Sequence, residues 1–144
     1  MSDDLFNLIY NKSLDLLSRR EHSRKELKEK LLLRFQSDDM IQTVLDKLET
    51  NNLINELRFA EAYTRSRKRK GFGPKKIFYE LSAKGVKESV SNQVILDEGN
   101  WDKVAKLAFT KKFKNGPSEE IKQKLKQKNF LQNRGFGFKE IESV

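Results

Sequence analysis

No cysteine occurs in the 144 residues, which excludes disulfides and thiolate metal sites and is compatible with a reducing compartment. Proline occurs twice and histidine once, and that histidine, His22, sits beside a serine suited to start a helix. It reads as a surface or capping residue. No Walker loop, metal-ligand cluster or nucleophile–base pair is present, so the chain is expected to be no enzyme and to carry no metal or cofactor. No apolar run approaches the roughly 18 residues of a membrane span, and the opening MSDDLF is acidic, unlike a signal peptide. A soluble cytoplasmic protein is expected. Alternating apolar residues are also missing, which argues against sheet.

What the chain has in quantity is charge, at 35% of residues against 36% hydrophobic, a balance that suits helices with one thin apolar stripe. The net charge is +9, unevenly placed: nine bases face ten acids in residues 1–50, ten face six in 51–100, and eleven face five in 101–144. The densest run is RSRKRKGFGPKK from Arg65 to Lys76, with seven bases in twelve positions and no acid. Like charges packed this closely repel unless something neutralises them. The run also breaks at Gly71, Gly73 and Pro74 between two helical patterns, so a basic helix end meets a helix start whose free N–H groups offer anion sites.

Helix signals recur along the chain. A first amphipathic helix runs from about Asp4 to Arg19 with Leu5, Leu8, Ile9, Leu16 and Leu17 inward. Ser23 and Glu26 form a capping box for a second, with Leu27 and Leu31 inward. Ser37 or Asp38 caps a third, bearing Ile41, Val44, Leu45 and Leu48, and Asn51 and Asn52 end it. The phrase then repeats: Asn55 caps a helix with Phe59, Ala60 and Tyr63, Gly73 and Pro74 open the next with Ile77 and Leu81, and Val86, Val90 and Val94 mark the one after. A shift of 50 residues lays Ser23 on Gly73, Leu27 on Ile77 and Leu31 on Leu81. A third, worn copy has Asn100 capping a stripe of Trp101, Val104, Ala105 and Ala108. Gly116 and Pro117 then open a helix through Ile121 and Leu125 to Leu131, and a short closing helix follows at Lys139 to Val144. The expected fold is all-α: three tandem three-helix repeats, 1–52, 53–98 and 99–144, stacked into an elongated, curved array.

The segment LINELRFAEAYTRSRKRKGFGPKKIFYELSAKG, through Arg58-Phe59-Ala60, Tyr63, Arg67, Gly71, Gly73, Ile77, Leu81 and Gly85, resembles the central signature of the RecX regulatory proteins. SRREHSRKELKEKL from Ser18 to Leu31 resembles that family's first repeat, and Phe130-Leu131 with Arg134-Gly135-Phe136 its third. LLLRF at 31–35 lacks the glycine usual before the phenylalanine, which predicts a different end to the second helix. The resemblance implies binding to RecA filaments on DNA, with inhibition of ATPase, strand exchange and coprotease activity and so modulation of DNA repair and the SOS response. In that setting the expected contacts to the phosphate backbone of single- or double-stranded DNA and to acidic recombinase surfaces are Arg65, Arg67, Lys68, Arg69, Lys70, Lys75 and Lys76. Arg19, Arg20, Arg24 and Lys25 form the corresponding junction in the first repeat, and Lys111, Lys112 and Lys114 in the third. A monomer is expected. The alternative is a free-standing helix-turn-helix DNA-binding protein, but the third helices carry few bases and no Arg, Asn and Gln cluster suited to base edges.

Overall fold

Capping chemistry sets where the helices begin. In the computed structural model, which describes the backbone of residues 2–144 and the side chains of 4–144, Ser23 Oγ accepts from Glu26 N at 3.1 Å and the Glu26 carboxylate accepts from Ser23 N at 3.3 Å. Ser37 accepts from Met40 N and Asn55 from Arg58 N in the same way, while Pro74 occupies a first-turn position that needs no N–H. The helices among the described residues are α1 (Ser2–Arg19), α2 (Arg24–Leu32), α3 (Asp38–Thr50), α4 (Glu56–Arg69), α5 (Pro74–Ala83), α6 (Glu88–Glu98), α7 (Trp101–Lys112), α8 (Ile121–Asn133) and α9 (Phe138–Ser143), and these residues form no strand. The fold is all-α. The acidic opening at Met1 to Asp3 lies outside the described side chains.

Packing groups these helices in threes. Leu27 and Leu31 of α2 meet Ile9 and Leu16 of α1 and Ile41, Val44, Leu45 and Leu48 of α3 in one buried cluster, and Phe59, Ala60, Ile77, Leu81, Val86 and Val94 of the α4–α6 segment form a second. A third, smaller cluster joins Ala105, Ala108 and Phe109 to Leu131 and Phe136, where Phe113 packs tilted against Phe109 and edge to face against Phe130, with ring centroids 5.0 and 5.4 Å apart. Trp101 departs from the expected stripe. It packs on the second cluster and donates from Nε1 to Ile95 O, tying α7 back to α6. The accessible surface of 9446 Å² exceeds the roughly 7,700 Å² of a compact monomer of this mass, as expected of trios strung in a row.

Three further expectations need correction. Leu8 is 61% exposed, because the inner face of α1 runs through Ile9, Ser13 and Leu16 and Leu8 lies about 100° round the helix from its centre. Pro117 does not open a helix: α8 starts at Ile121, and residues 113–120 form a loop whose Gly116 O and Ser118 N are held by the buried amide of Gln127. Ile121 and Leu125, in the first two turns of α8, lie outside the third cluster and are exposed. His22 is buried rather than superficial, its Nδ1 donating to Arg20 O and its Nε2 accepting from Lys30 Nζ at 2.9 Å.

The trios join through their turns. The α5 end is closed by Gly85 at φ +83°, with Val86 N returning to Leu81 O, and this turn sits on the α1/α2 junction. There Lys25 lies over Gly85 and donates to Ala83 O, Lys84 pairs with Glu26 at 3.3 Å, and Arg58 reaches Glu21. Fifty residues on, the same joint recurs between the α8/α9 turn and the α4/α5 junction. It is tighter, with Gly73 N donating to Arg134 O at 2.8 Å and Lys75 N to Gly135 O at 3.0 Å. The corresponding α2/α3 turn at the free end of the first trio lacks the glycine, as LLLRF predicts, and Phe35 N closes instead on Leu31 O.

The first joint makes the fold acid-sensitive. Burial works against the Glu26 charge, but two hydrogen bonds from Arg20 and the Lys84 charge outweigh it and bring its pKa from 4.5 to about 2. Its contribution to stability is therefore complete above pH 4.5 and is lost as the pH falls toward 2. Burial also lowers the His22 pKa, helped by the nearby Arg20 and Lys30 charges, so a proton that the unfolded chain accepts near pH 6.5 is resisted in the fold. Both signs agree. Thermal melts should show stability falling below pH 6.5 and again below pH 4.5, and His22→Gln should remove the first fall only.

Candidate nucleic-acid interface

The structure divides the basic residues into paired and unpaired sets. In the α4/α5 junction Arg67 forks onto Glu80 at 2.9 and 2.8 Å, stacks 3.8 Å above the Phe72 ring, and is reinforced by Tyr63, whose hydroxyl donates to the same carboxylate. Burial and the Glu80 charge push the Tyr63 phenol up to about 12, so it remains a donor. Lys68 pairs with Glu98 at 3.5 Å, donates to its carbonyl and lies over Trp101, and Arg65 bridges Glu61 and Glu98. Arg69, Lys70, Lys75 and Lys76 make no ion pair among the described residues.

The first-trio junction is more fully neutralised. Arg19 pairs with Asp15, Arg20 with Glu26, and Arg24 with Asp46 and Glu49, while Lys25 is engaged at the joint. Lys111, Lys112 and Lys114 are exposed and unpaired among the described residues. Two of the N–H groups expected to be free at the start of α5 are taken, because carbonyls of the α8/α9 turn accept from Gly73 N and Lys75 N. A neighbouring trio fills the place an anion would occupy.

Two clusters distant in sequence nevertheless meet. Arg69 and Lys70 from the end of α4 and Lys111 and Lys112 from the end of α7 face one cleft of about 430 Å³. Arg134, which the charge pattern alone did not single out, is its fifth unpaired cation; it donates to Lys70 O and lies against the Phe72 and Phe130 rings at 4.9 and 5.1 Å. Lys76 approaches the same Phe72 ring at 4.9 Å. One aromatic ring thus gathers three cations around the second joint, each attraction being about 0.5–1 kcal/mol at exposed sites. Only Arg67 among those three has a carboxylate partner in the described residues.

Residues 55–95 match the pattern described as "RecX, second three-helix domain", and residues 10–48 that of "RecX, first three-helix domain". Halorhodospira halophila has a "Regulatory protein RecX" that is 37% identical over 133 residues, 92% of this chain and 83% of that protein. The chain belongs to the RecX family. A Vibrio parahaemolyticus member is also 37% identical, over 90% of this chain and 84% of its own length. The crystal structure of RecX from Lactobacillus salivarius superposes with a TM-score of 0.78 at 28% identity, covering 99% of this chain and 95% of that one. Members of this family carry the name of regulatory proteins rather than enzymes, and among the described residues no group of three or more metal-ligating side chains forms and no helix is long and apolar enough to cross a membrane.

Proposed function

We propose that the chain regulates the RecA recombinase by binding its filament on DNA, placing the unpaired cations of the second joint against DNA phosphates and acidic surfaces of the filament. The observation that carries this reading is the convergence of Arg69, Lys70, Lys111, Lys112 and Arg134 on one cleft with no carboxylate in its lining. Such a surface attracts polyanions and recognises no base sequence. Three trios in a row reach more than one filament subunit, so linked weak contacts add to the grip. Occupying the filament's groove and resisting its nucleotide-driven change of shape inhibits ATP turnover, strand exchange and coprotease action, and so modulates DNA repair and the SOS response.

Two features support a monomer. The free end of the first trio lacks the glycine turn that forms both joints, and the free α7/α8 junction is filled by an eight-residue loop, 113–120, in place of the four residues at the equivalent junctions. Neither end offers the matching half of a further joint. The helix-turn-helix alternative is not favoured, since α3 presents Asp38, Asp39, Asp46 and Glu49 with one lysine, and α6 presents Glu88 and Asp97 with no base. The deciding experiment is RecA ATPase on single-stranded DNA with this chain added. Turnover should fall as the chain is titrated, and unchanged turnover in excess chain contradicts the reading.

A further inference from the structure

The cleft at the second joint has a floor that phosphate binding does not call for. Val104, Leu107 and Ala108 of α7 line it, with Phe130 beside them, and Leu107 is 60% exposed. Spaced three and four residues apart, these side chains and Lys111 form one face of α7, so apolar floor and basic rim belong to a continuous surface. A DNA backbone would engage the rim and leave the exposed Leu107 side chain in water. Bases would need flat aromatic faces, and the Phe130 ring is already engaged by Arg134 and, edge to face, by Phe113. What fits both parts is a side chain with substantial apolar area, carried on a backbone flanked by carboxylates.

We propose that this cleft docks an acidic segment of a partner protein, with one large apolar side chain on Val104, Leu107 and Ala108 and its flanking carboxylates on Arg69, Lys70, Lys111 and Arg134. The charge complementarity is one-sided: the lining holds six bases and no acid, and of the six only Lys68 has an internal ion pair among the described residues. A volume of about 430 Å³ suits one bulky side chain and the peptide on either side of it. This rests on the acidic-surface contacts proposed above and adds an apolar anchor to them; because its test needs no recombinase, its failure is distinguishable from failure of that reading.

The test uses the full chain and fluorescence anisotropy. The probes are a labelled peptide of aspartates and glutamates around one central phenylalanine, the same peptide with alanine at the centre, and a labelled oligothymidylate. The phenylalanine peptide should bind about tenfold more tightly than the alanine peptide, the effect of burying one such side chain. Leu107→Gln, at an exposed position, should erase that difference and leave oligothymidylate affinity unchanged. Equal affinity of the two peptides for the unaltered chain overturns the proposal whatever the variant does. Parallel loss of oligothymidylate binding in a folded Leu107→Gln protein overturns it in favour of nucleic acid.

Discussion

Gly73→Ala should detach the third trio from the second. A Cβ on Gly73 would lie 2.5 Å from both C and O of Gly135 and 2.6 Å from Phe136 N, all backbone atoms that no rotamer change can move. The constraint is space, since the Gly73 φ of −94° is open to any residue. Making room separates Gly73 N from Arg134 O and Lys75 N from Gly135 O, the bonds that close the joint. Overpacking costs about 1–3 kcal/mol and each lost bond about 1 kcal/mol, so a loss of about 3 kcal/mol or more is expected, concentrated in the third trio. Hydrogen exchange should then show α8 and α9 opening well before α4 to α6. Gly116→Ala is the control: its φ of +78° makes a side chain strained, but no atom lies within 4 Å. It should cost about 1–2 kcal/mol without uncoupling anything. A Gly73→Ala protein that unfolds in one transition at the original midpoint contradicts this account of the joint.

Changing Arg69, Lys70, Lys75 and Lys76 together to alanine should cost no more than about 0.5–1 kcal/mol of stability, through loss of the Lys76 contact with Phe72, and should flatten the salt dependence of DNA binding. Each phosphate-bound cation contributes about 0.9 to the slope of log affinity against log salt on duplex DNA, so the slope should fall by about 3 to 4. Arg67→Ala should do the reverse. Its guanidinium is internally committed to Glu80 and Phe72, so its removal leaves a half-buried carboxylate without its forked partner and costs about 1–3 kcal/mol of stability, with the slope unchanged. A slope that falls for Arg67→Ala and holds for the four-residue variant would invert the division between paired and unpaired cations.

Much of the fold was legible in local chemistry. Ser23, Ser37 and Asn55 announce helix starts through side chains that act within three residues, and the apolar spacings of α3 and α5 read directly as buried faces. The 50-residue shift anticipated more than helices: it superposes the two joints, placing Lys25 on Lys75 and Gly85 on Gly135. What local reading could not supply was partnership across the sequence. Nothing adjacent to Arg67 or Lys68 shows that Glu80 and Glu98 will reach them, so a run of seven bases looked uniformly free. Arg20 and Arg24 are likewise answered by Glu26, Asp46 and Glu49. Gly73 read as a helix opener, whereas its lack of a side chain is needed by a turn more than sixty residues away. The Gln127 side chain, holding the 113–120 loop open, gave no signal in periodicity because it occupies an inward position as a polar residue.

The central claim is that cations left unpaired at the second joint hold the recombinase filament. It is tested most directly by titrating the Arg69, Lys70, Lys75 and Lys76 alanine variant, alongside the unaltered chain, into RecA turning over ATP on single-stranded DNA. The variant should remain folded and lose most of its inhibition, regaining part of it as the salt concentration is lowered. Inhibition equal to that of the unaltered chain at every salt concentration would contradict the claim.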